Sequence, residues 1–248
     1  MKEEIKTGAT SKFLEHDSLR NIVQPDVFRR VSQLVGLQVL LSLLLCYSCF
    51  FIFAKYQLPF SILSMDDYFL LRDPKYLLTD RLMTFASKML KLQFPRIGGL
   101  YDTTALVSTG KSKPKYTPGP IVQLLFNGSN HWLTISNVHG QVTLYDSMGA
   151  HEFPKKLIPH VTTLFSKDGS FSSEEISLAQ PGCLQEGVFD CGLFAIAIAE
   201  LLCRGIDPQS VYFEQEEMRS HLFDCIFHFG LLSPFPLCSG KMSVKKRM

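Results

Sequence analysis

The sequence predicts a mixed domain of helices and strands over residues 58 to 240. Three observations carry that reading. Residues 78 to 93 repeat apolar side chains at helical spacing, residues 191 to 202 are apolar almost all round, and short strand candidates bounded by turn residues lie between them. At 248 residues, with 46% apolar and 19% charged side chains, the chain is long enough for one large domain with a proper core or for two small ones. A net charge of +2 gives no reason to expect a nucleic-acid or an acidic partner.

Residues 1 to 30 are polar and mixed in charge without sustained periodicity, and read as a leader. From Leu34 to Ala54 the chain carries no charge and meets the length of a membrane-spanning helix, roughly 20 residues. It begins too late for an ordinary signal peptide, and Arg29, Arg30 and Lys55 flank it too evenly to set an orientation. Three readings of residues 31 to 57 stay open. One is a membrane span; another is a buried helix, which an apolar surface on every side fits poorly. The third is a translated retained intron, since the segment opens Val31-Ser32 and ends in Phe-rich residues before Tyr56-Gln57, as a splice donor, a pyrimidine tract and an acceptor would translate.

Seven cysteines at irregular spacing form no disulfide framework and point to a reducing compartment. Cys46 and Cys49 lie in the apolar run without a second ligand pair, and Cys225 and His228 share a helical turn without evident partners, so neither a metal nor a cofactor is expected.

Along the domain, the first helix places Leu82, Phe85, Ala86, Met89 and Leu90 on one face, with Thr79 or Asp80 as its N-cap. Residues 108 to 120, rich in Lys, Pro, Gly, Ser and Thr, read as an exposed loop. Strands are expected at Ile121 to Phe126, Trp132 to Ser136 and Val142 to Tyr145, the last two joined into a hairpin by His139-Gly140-Gln141. A helix is expected from Pro154 to Phe165 and a strand from Glu175 to Leu178. The apolar helix starting at Cys191 should be central and end at Arg204-Gly205. A last helix, Glu214 to Phe229, should turn Met218, Leu222, Cys225, Ile226 and Phe229 inward, before a basic tail from Lys241 to Met248.

The hairpin puts His131 at the start of one strand and Asp146 at the end of its antiparallel neighbour, so imidazole and carboxylate should meet. Asp146 would accept a bond from one ring nitrogen and leave the other for a thiol. Cys191 opens a helix, where a thiol becomes nucleophilic if an imidazole is also near. Asp190 would cap that helix, and Gly192 would let a substrate approach the backbone amides. Gln185, six residues earlier, would donate to an oxyanion beside the Cys191 amide. Each residue alone has a duller reading, as a core thiol, a packing imidazole, a turn cap or a loop amide. The set of four is far more specific than its members.

Asn130-His131-Trp132, Leu144-Tyr145-Asp146-Ser147 and the run from Gln185 through Cys191-Gly192 resemble the signature of the ubiquitin-like-protein-specific protease family (Ulp/SENP cysteine peptidases), in the order His, Asp, Gln, Cys. The resemblance covers residues 60 to 237 and is nearest in type to stand-alone, mobile-element-associated members. It implies an α+β, papain-like domain with a central mixed sheet and a buried helix carrying the nucleophile. It further implies cleavage after the Gly-Gly terminus of a ubiquitin-like modifier, SUMO-like or NEDD8-like, with His131, Asp146, Gln185 and Cys191 catalytic and Trp132, Leu77 and Gly192 binding substrate. The chain departs from the family where Val188 holds the place of a glycine three residues before the nucleophile, and where Leu77 replaces a tail-clamping Trp. These departures support a second reading, a protease-derived module that binds a modifier or another protein without turnover. A monomer in the nucleus or cytoplasm is expected, with membrane association if residues 34 to 54 span a bilayer.

Overall fold

The computed structural model describes residues 62–238 except 105–113, 115, 150 and 170. The expectations for residues 1 to 30, 31 to 57 and 241 to 248, and for most of the basic loop, lie outside the described residues. Among the described residues no helix is long and apolar enough to cross a membrane.

The order is α1 (Met65–Arg72), α2 (Asp80–Gln93), β1 (Gly98–Gly99), β2 (Ile121–Phe126), β3 (Trp132–Ser136), β4 (Thr143–Tyr145), α3 (Ile158–Phe165), β5 (Ser177–Ala179), α4 (Cys191–Cys203) and α5 (Gln215–Asp224). The strands form one mixed sheet in sequence order. Its centre, β2 to β4, is antiparallel, and each edge is a parallel pair, β1 with β2 and β4 with β5. The last parallel pair needs a crossover, and α3 supplies it.

Side chains alternate between the faces of the sheet, as the two-residue repeat of a strand requires. Val122, Leu124, Trp132 and Tyr145 join the core made with α2, α4 and α5. Leu125, Leu133, Ile135 and Leu144 meet Leu157, Val161 and Leu164 of the α3 segment on the other side. Both faces being covered, these strands read as nearly unbroken apolar runs. Every residue of α4 is buried, and Thr134 Oγ1 of β3 donates to the Ala195 carbonyl at 2.8 Å, tying sheet to helix. The C-terminal segment returns to α2, where the Gln93 amide donates to the Leu232 carbonyl at 2.7 Å and accepts from its N–H at 2.8 Å.

Thr79 is the N-cap of α2, its hydroxyl accepting from Leu82 N, and the expected face of α2 is buried. β4 starts at Thr143 rather than Val142, and β5 lies at Ser177–Ala179, after a short 3-10 turn at Ser173–Glu175. The last helix corrects its expectation. After Asp224 it widens into a π-turn, Cys225–Phe229, closed by Gly230 in the left-handed region with its N–H on the Cys225 carbonyl. The wider turn breaks the 3.6-residue repeat, so Phe229 is 51% exposed instead of buried.

Two elements were not expected. α1 starts from a capping box, in which Ser64 Oγ accepts from Asp67 N while the Asp67 carboxylate accepts from Ser64 N. The same buried carboxylate takes Thr79 Oγ1 at 2.7 Å and Arg81 Nε at 2.7 Å. Burial pushes its pKa up, yet these bonds outweigh it and hold the carboxyl below its ordinary value. β1 is glycine alone, and a Cβ at Gly99 would fall 2.2 Å from the Val122 carbonyl oxygen. The edge strand therefore approaches β2 at a distance that only glycine permits.

Candidate active site

The β2–β3 loop sets His131. Asn127 N donates to the His131 carbonyl at 2.9 Å, while Asn127 Oδ1 accepts from Ser129 N and His131 N. Asn130 sits in the left-handed region, φ 61°, a conformation Asn tolerates better than most residues. The imidazole thereby leaves the strand edge facing β4. Its Nε2–H donates to Asp146 Oδ1 at 2.7 Å, and the Cys191 side chain is also within its hydrogen-bonding reach. With Nε2 committed to the carboxylate, Nδ1 is the nitrogen left for the thiol.

Asp146 is fixed in turn. Its N–H donates to the Ala179 carbonyl of β5 at 3.0 Å, and Oδ1 also accepts from Met148 N at 2.8 Å. Burial pushes the His131 pKa down, but hydrogen bonds and charge from Asp146 and Cys191 outweigh it and raise it from 6.5 to about 9. His131 is therefore an imidazolium at neutral pH. Neighbouring Tyr145 is pushed up to about 12 by burial and by Asp207, which removes its hydroxyl from acid–base chemistry near neutrality.

Cys191 is the first residue of α4, 1% exposed, with Sγ 4.0 Å from the Asn130 carbonyl. Asp190 occupies the N-cap position, but its side chain makes no capping bond, contrary to the sequence expectation. Its carboxylate is drawn away by α5, accepting from Arg219 Nη2 at 2.6 Å and Gln215 Nε2 at 2.8 Å. Among the described residues no side chain caps the first N–H groups of α4, and these positive dipole ends flank the thiol. Gly192 is buried against Leu78, and a Cβ there would lie 2.9 Å from Leu78 Cβ. Close packing thus gives this glycine a reason beyond the substrate approach read from sequence.

Gln185 is buried on the loop before α4. Its Oε1 accepts from Ser147 Oγ at 2.6 Å, its Nε2 donates to the Gly187 carbonyl at 3.0 Å, and its N–H donates to the Ser147 carbonyl at 2.9 Å. Gln215 holds the same loop from outside, bonding both the N–H and the carbonyl of Glu186. Sequence reasoning singled out neither Ser147, Gln215 nor Arg219. Only Ser147 lay inside a quoted motif, directly after Asp146.

Trp132 and Leu77 line one cleft of about 600 Å³, together with Leu78, Phe126, Asn130 and Leu157. The Trp132 ring stacks at a tilt on Phe126, 4.9 Å between centroids, and its Nε1–H donates to the Leu78 carbonyl at 3.1 Å. The cleft opens beside His131, since Asn130 and Trp132 are its sequence neighbours. A second thiol–imidazole contact, between Cys225 and His221 Nε2 at 3.5 Å, lies in the α5 region. Cys225 thus pairs with His221 rather than with His228, which bonds Asp224. Among the described residues no cluster of three or more His, Cys, Asp and Glu could hold a metal ion.

A thiol at a helix start, an imidazole beside it and a carboxylate behind the imidazole are the parts of nucleophilic acyl transfer. No family model matches the chain, and no curated protein matches it in sequence. Among solved structures it is similar to the SUMO protease Ulp1 with its catalytic cysteine oxidized to a sulfinic acid. The identity is 14%, the match covers 68% of this chain and 85% of that one, and the TM-score is 0.55. It is also similar to the C-terminal Ulp1 protease domain in complex with Smt3, the yeast ortholog of SUMO, at 14% identity, 68% and 85% coverage and TM-score 0.50. At this identity the likeness shows the fold, a papain-like α+β fold of the Ulp type.

Proposed function

We propose that the chain is a cysteine peptidase that cleaves after the Gly-Gly terminus of a ubiquitin-like modifier, SUMO-like or NEDD8-like. The observation that carries this reading is the 2.7 Å bond from His131 Nε2 to Asp146, with Cys191 in reach of the same imidazole. The Ulp-type fold, and the modifier bound to one structural neighbour, support it.

In this mechanism the Cys191 proton resides on His131 Nδ1 and Sγ attacks the carbonyl carbon after Gly-Gly. The carbonyl π pair moves to oxygen, and the resulting oxyanion accepts hydrogen bonds from the Cys191 N–H and Gln185 Nε2. Collapse breaks the C–N bond as His131 returns the proton to the leaving amine, leaving a thioester. Water, deprotonated by His131, then adds to the thioester, and collapse of that adduct releases the carboxylate and the thiol. Asp146 orients the ring throughout and stabilises the imidazolium.

The chain acts in this reading as a monomer of the stand-alone, mobile-element-associated type, in the nucleus or cytoplasm. If residues 34 to 54 span a bilayer, the catalytic domain faces the cytosol. The test is labelling of the full chain with a panel of ubiquitin-like modifiers carrying a C-terminal thiol-reactive group. A Cys191-dependent adduct, absent in Cys191→Ser and slowed in His131→Ala, is expected. No adduct with any modifier, from folded protein, would leave the non-catalytic binding module as the better reading.

A further inference from the structure

We infer that Ser147 is a positioning residue for the oxyanion donor: its hydroxyl holds the Gln185 amide so that one Nε2 hydrogen is left facing the reacting carbonyl. The inference rests on the peptidase reading and assigns a role to a residue that reading does not use.

A primary amide has an oxygen that only accepts and two N–H hydrogens that only donate. At Gln185, Oε1 takes the Ser147 hydroxyl at 2.6 Å and Nε2 gives one hydrogen to the Gly187 carbonyl at 3.0 Å. Turning the amide over would set its oxygen against the Gly187 oxygen, two acceptors with no proton between them. Gly187 therefore selects which end is nitrogen, and Ser147 fixes where the other end lies. Among the described residues the second Nε2 hydrogen has no partner. An amide N–H left open in a side chain that is 9% exposed is a donor prepared for a ligand atom.

Ser147 grips Gln185 twice, because its carbonyl also accepts the Gln185 N–H at 2.9 Å. At 2% exposure its hydroxyl faces no competition from bulk water. Its place in the chain adds the rest. Asp146, the preceding residue, accepts from His131 Nε2, and Met148 N, the following one, donates to the same Asp146 oxygen. One three-residue turn thus orients the base through its carboxylate and the oxyanion donor through its hydroxyl. Donors held in advance of the reaction are the ones that stabilise a developing charge most, because nothing need reorganise as it forms.

The test separates charge stabilisation from the thiol–imidazole pair. A peptide aldehyde ending in Gly-glycinal forms a hemithioacetal with Cys191 whose oxygen occupies the oxyanion position, whereas alkylation by iodoacetamide develops no such oxyanion. In the full chain, Ser147→Ala is expected to weaken aldehyde binding about ten- to a hundred-fold, below the full loss of one oxyanion donor, and to leave the Cys191 alkylation rate within two-fold. Gln185→Ala should weaken the aldehyde at least as much, and the double variant no further, since Ser147 acts through Gln185. Wild-type aldehyde affinity in Ser147→Ala, or a loss that adds fully to that of Gln185→Ala, would overturn the inference. If Ser147→Ala fails to fold, the pair Ser147→Thr and Ser147→Val, alike in shape and differing by the hydroxyl, decides the same question; equal aldehyde affinities would overturn it. Slow, His131-independent alkylation of the wild-type protein would instead overturn the peptidase reading beneath it.

Discussion

A methyl group at Gly192 would lie 2.9 Å from Cβ, 3.0 Å from Cγ and 3.1 Å from Cδ1 of Leu78. Carbon atoms pack at about 3.5–4.0 Å, so all three contacts fall on the repulsive wall. Rotation of Leu78 relieves the outer two but not the first, whose carbon is bonded directly to the backbone. That backbone is itself held, its carbonyl accepting from Trp132 Nε1. Gly192→Ala must therefore displace the first turn of α4 or the Leu78 segment. Overpacking of this kind costs about 1–3 kcal/mol, and replacing a helical glycine by alanine returns at most about 1 kcal/mol. From the middle of that range, about 2 kcal/mol, the net loss is about 1–2 kcal/mol, which lowers Tm by about 2–8 °C in a domain of this size. Thermal unfolding of the wild type, Gly192→Ala, Leu78→Ala and the double variant reads it. Leu78→Ala removes two of the three contacts, so the double variant should be more stable than the single losses sum to, by about 1 kcal/mol. The Cys191 alkylation rate should fall with Gly192→Ala as well, since the thiol is the neighbouring residue. An unchanged or raised Tm, with only KM affected, would refute the packing argument and return Gly192 to the substrate-approach role read from the sequence.

Asp146→Asn should lower kcat by about a hundred- to ten-thousand-fold through loss of ring orientation and imidazolium stabilisation; steady-state kinetics within tenfold of wild type would mean that another group orients His131. The folded His131 pKa, about 9, lies above the ordinary 6.5. Its contribution to stability is therefore full below about pH 6.5 and lost as pH rises through about 9. Urea unfolding across that window should show a falling contribution in the wild type that His131→Ala lacks, and parallel curves would contradict the assignment. Arg219→Leu deprives Asp190 of a 2.6 Å partner between side chains 10% and 19% exposed. A loss of about 1–3 kcal/mol is expected, with kcat falling more than KM rises, and a wild-type denaturation midpoint would show the brace to be dispensable. Leu77→Trp should fill part of the cleft of about 600 Å³ beside Trp132 and lower KM for a Gly-Gly ester several-fold; no change would mean that the tail takes another path.

Much of this arrangement follows from local patterns. β2 and β3 run over the expected residues, α2 starts behind Thr79 and α4 begins at Cys191, because alternation, a capping hydroxyl and an apolar helix are each encoded within a few neighbouring residues. His131 and Asp146 were legible for a related reason, since hairpin register brings strand ends together without help from elsewhere. What escaped depends on distant partners or on absent side chains. β1 consists of glycines and carries no apolar pattern to read. The capping box of α1, Ser64 with Asp67, was visible in principle, but its periodicity is too short to stand out. Asp190 has the residue type of a helix cap, yet Arg219 and Gln215, a helix away, offer its carboxylate stronger donors than the α4 amides do. Ser147 looked like a turn residue because its partner, Gln185, is separated from it by 38 positions.

The bond from Thr134 to Ala195 joins residues 61 positions apart, and the bonds between Gln93 and Leu232 span 139. During translation the hairpin with His131 and Asp146 leaves the ribosome before Cys191 has been added. α4 packs on β2, β3 and α2, which precede it in the chain, and the later α5 completes the core around it. Contacts so remote in sequence form late and together. A nascent chain can therefore pair the imidazole with the carboxylate in the hairpin before the thiol exists, and in the proposed peptidase the centre is complete only once α4 has docked on the sheet.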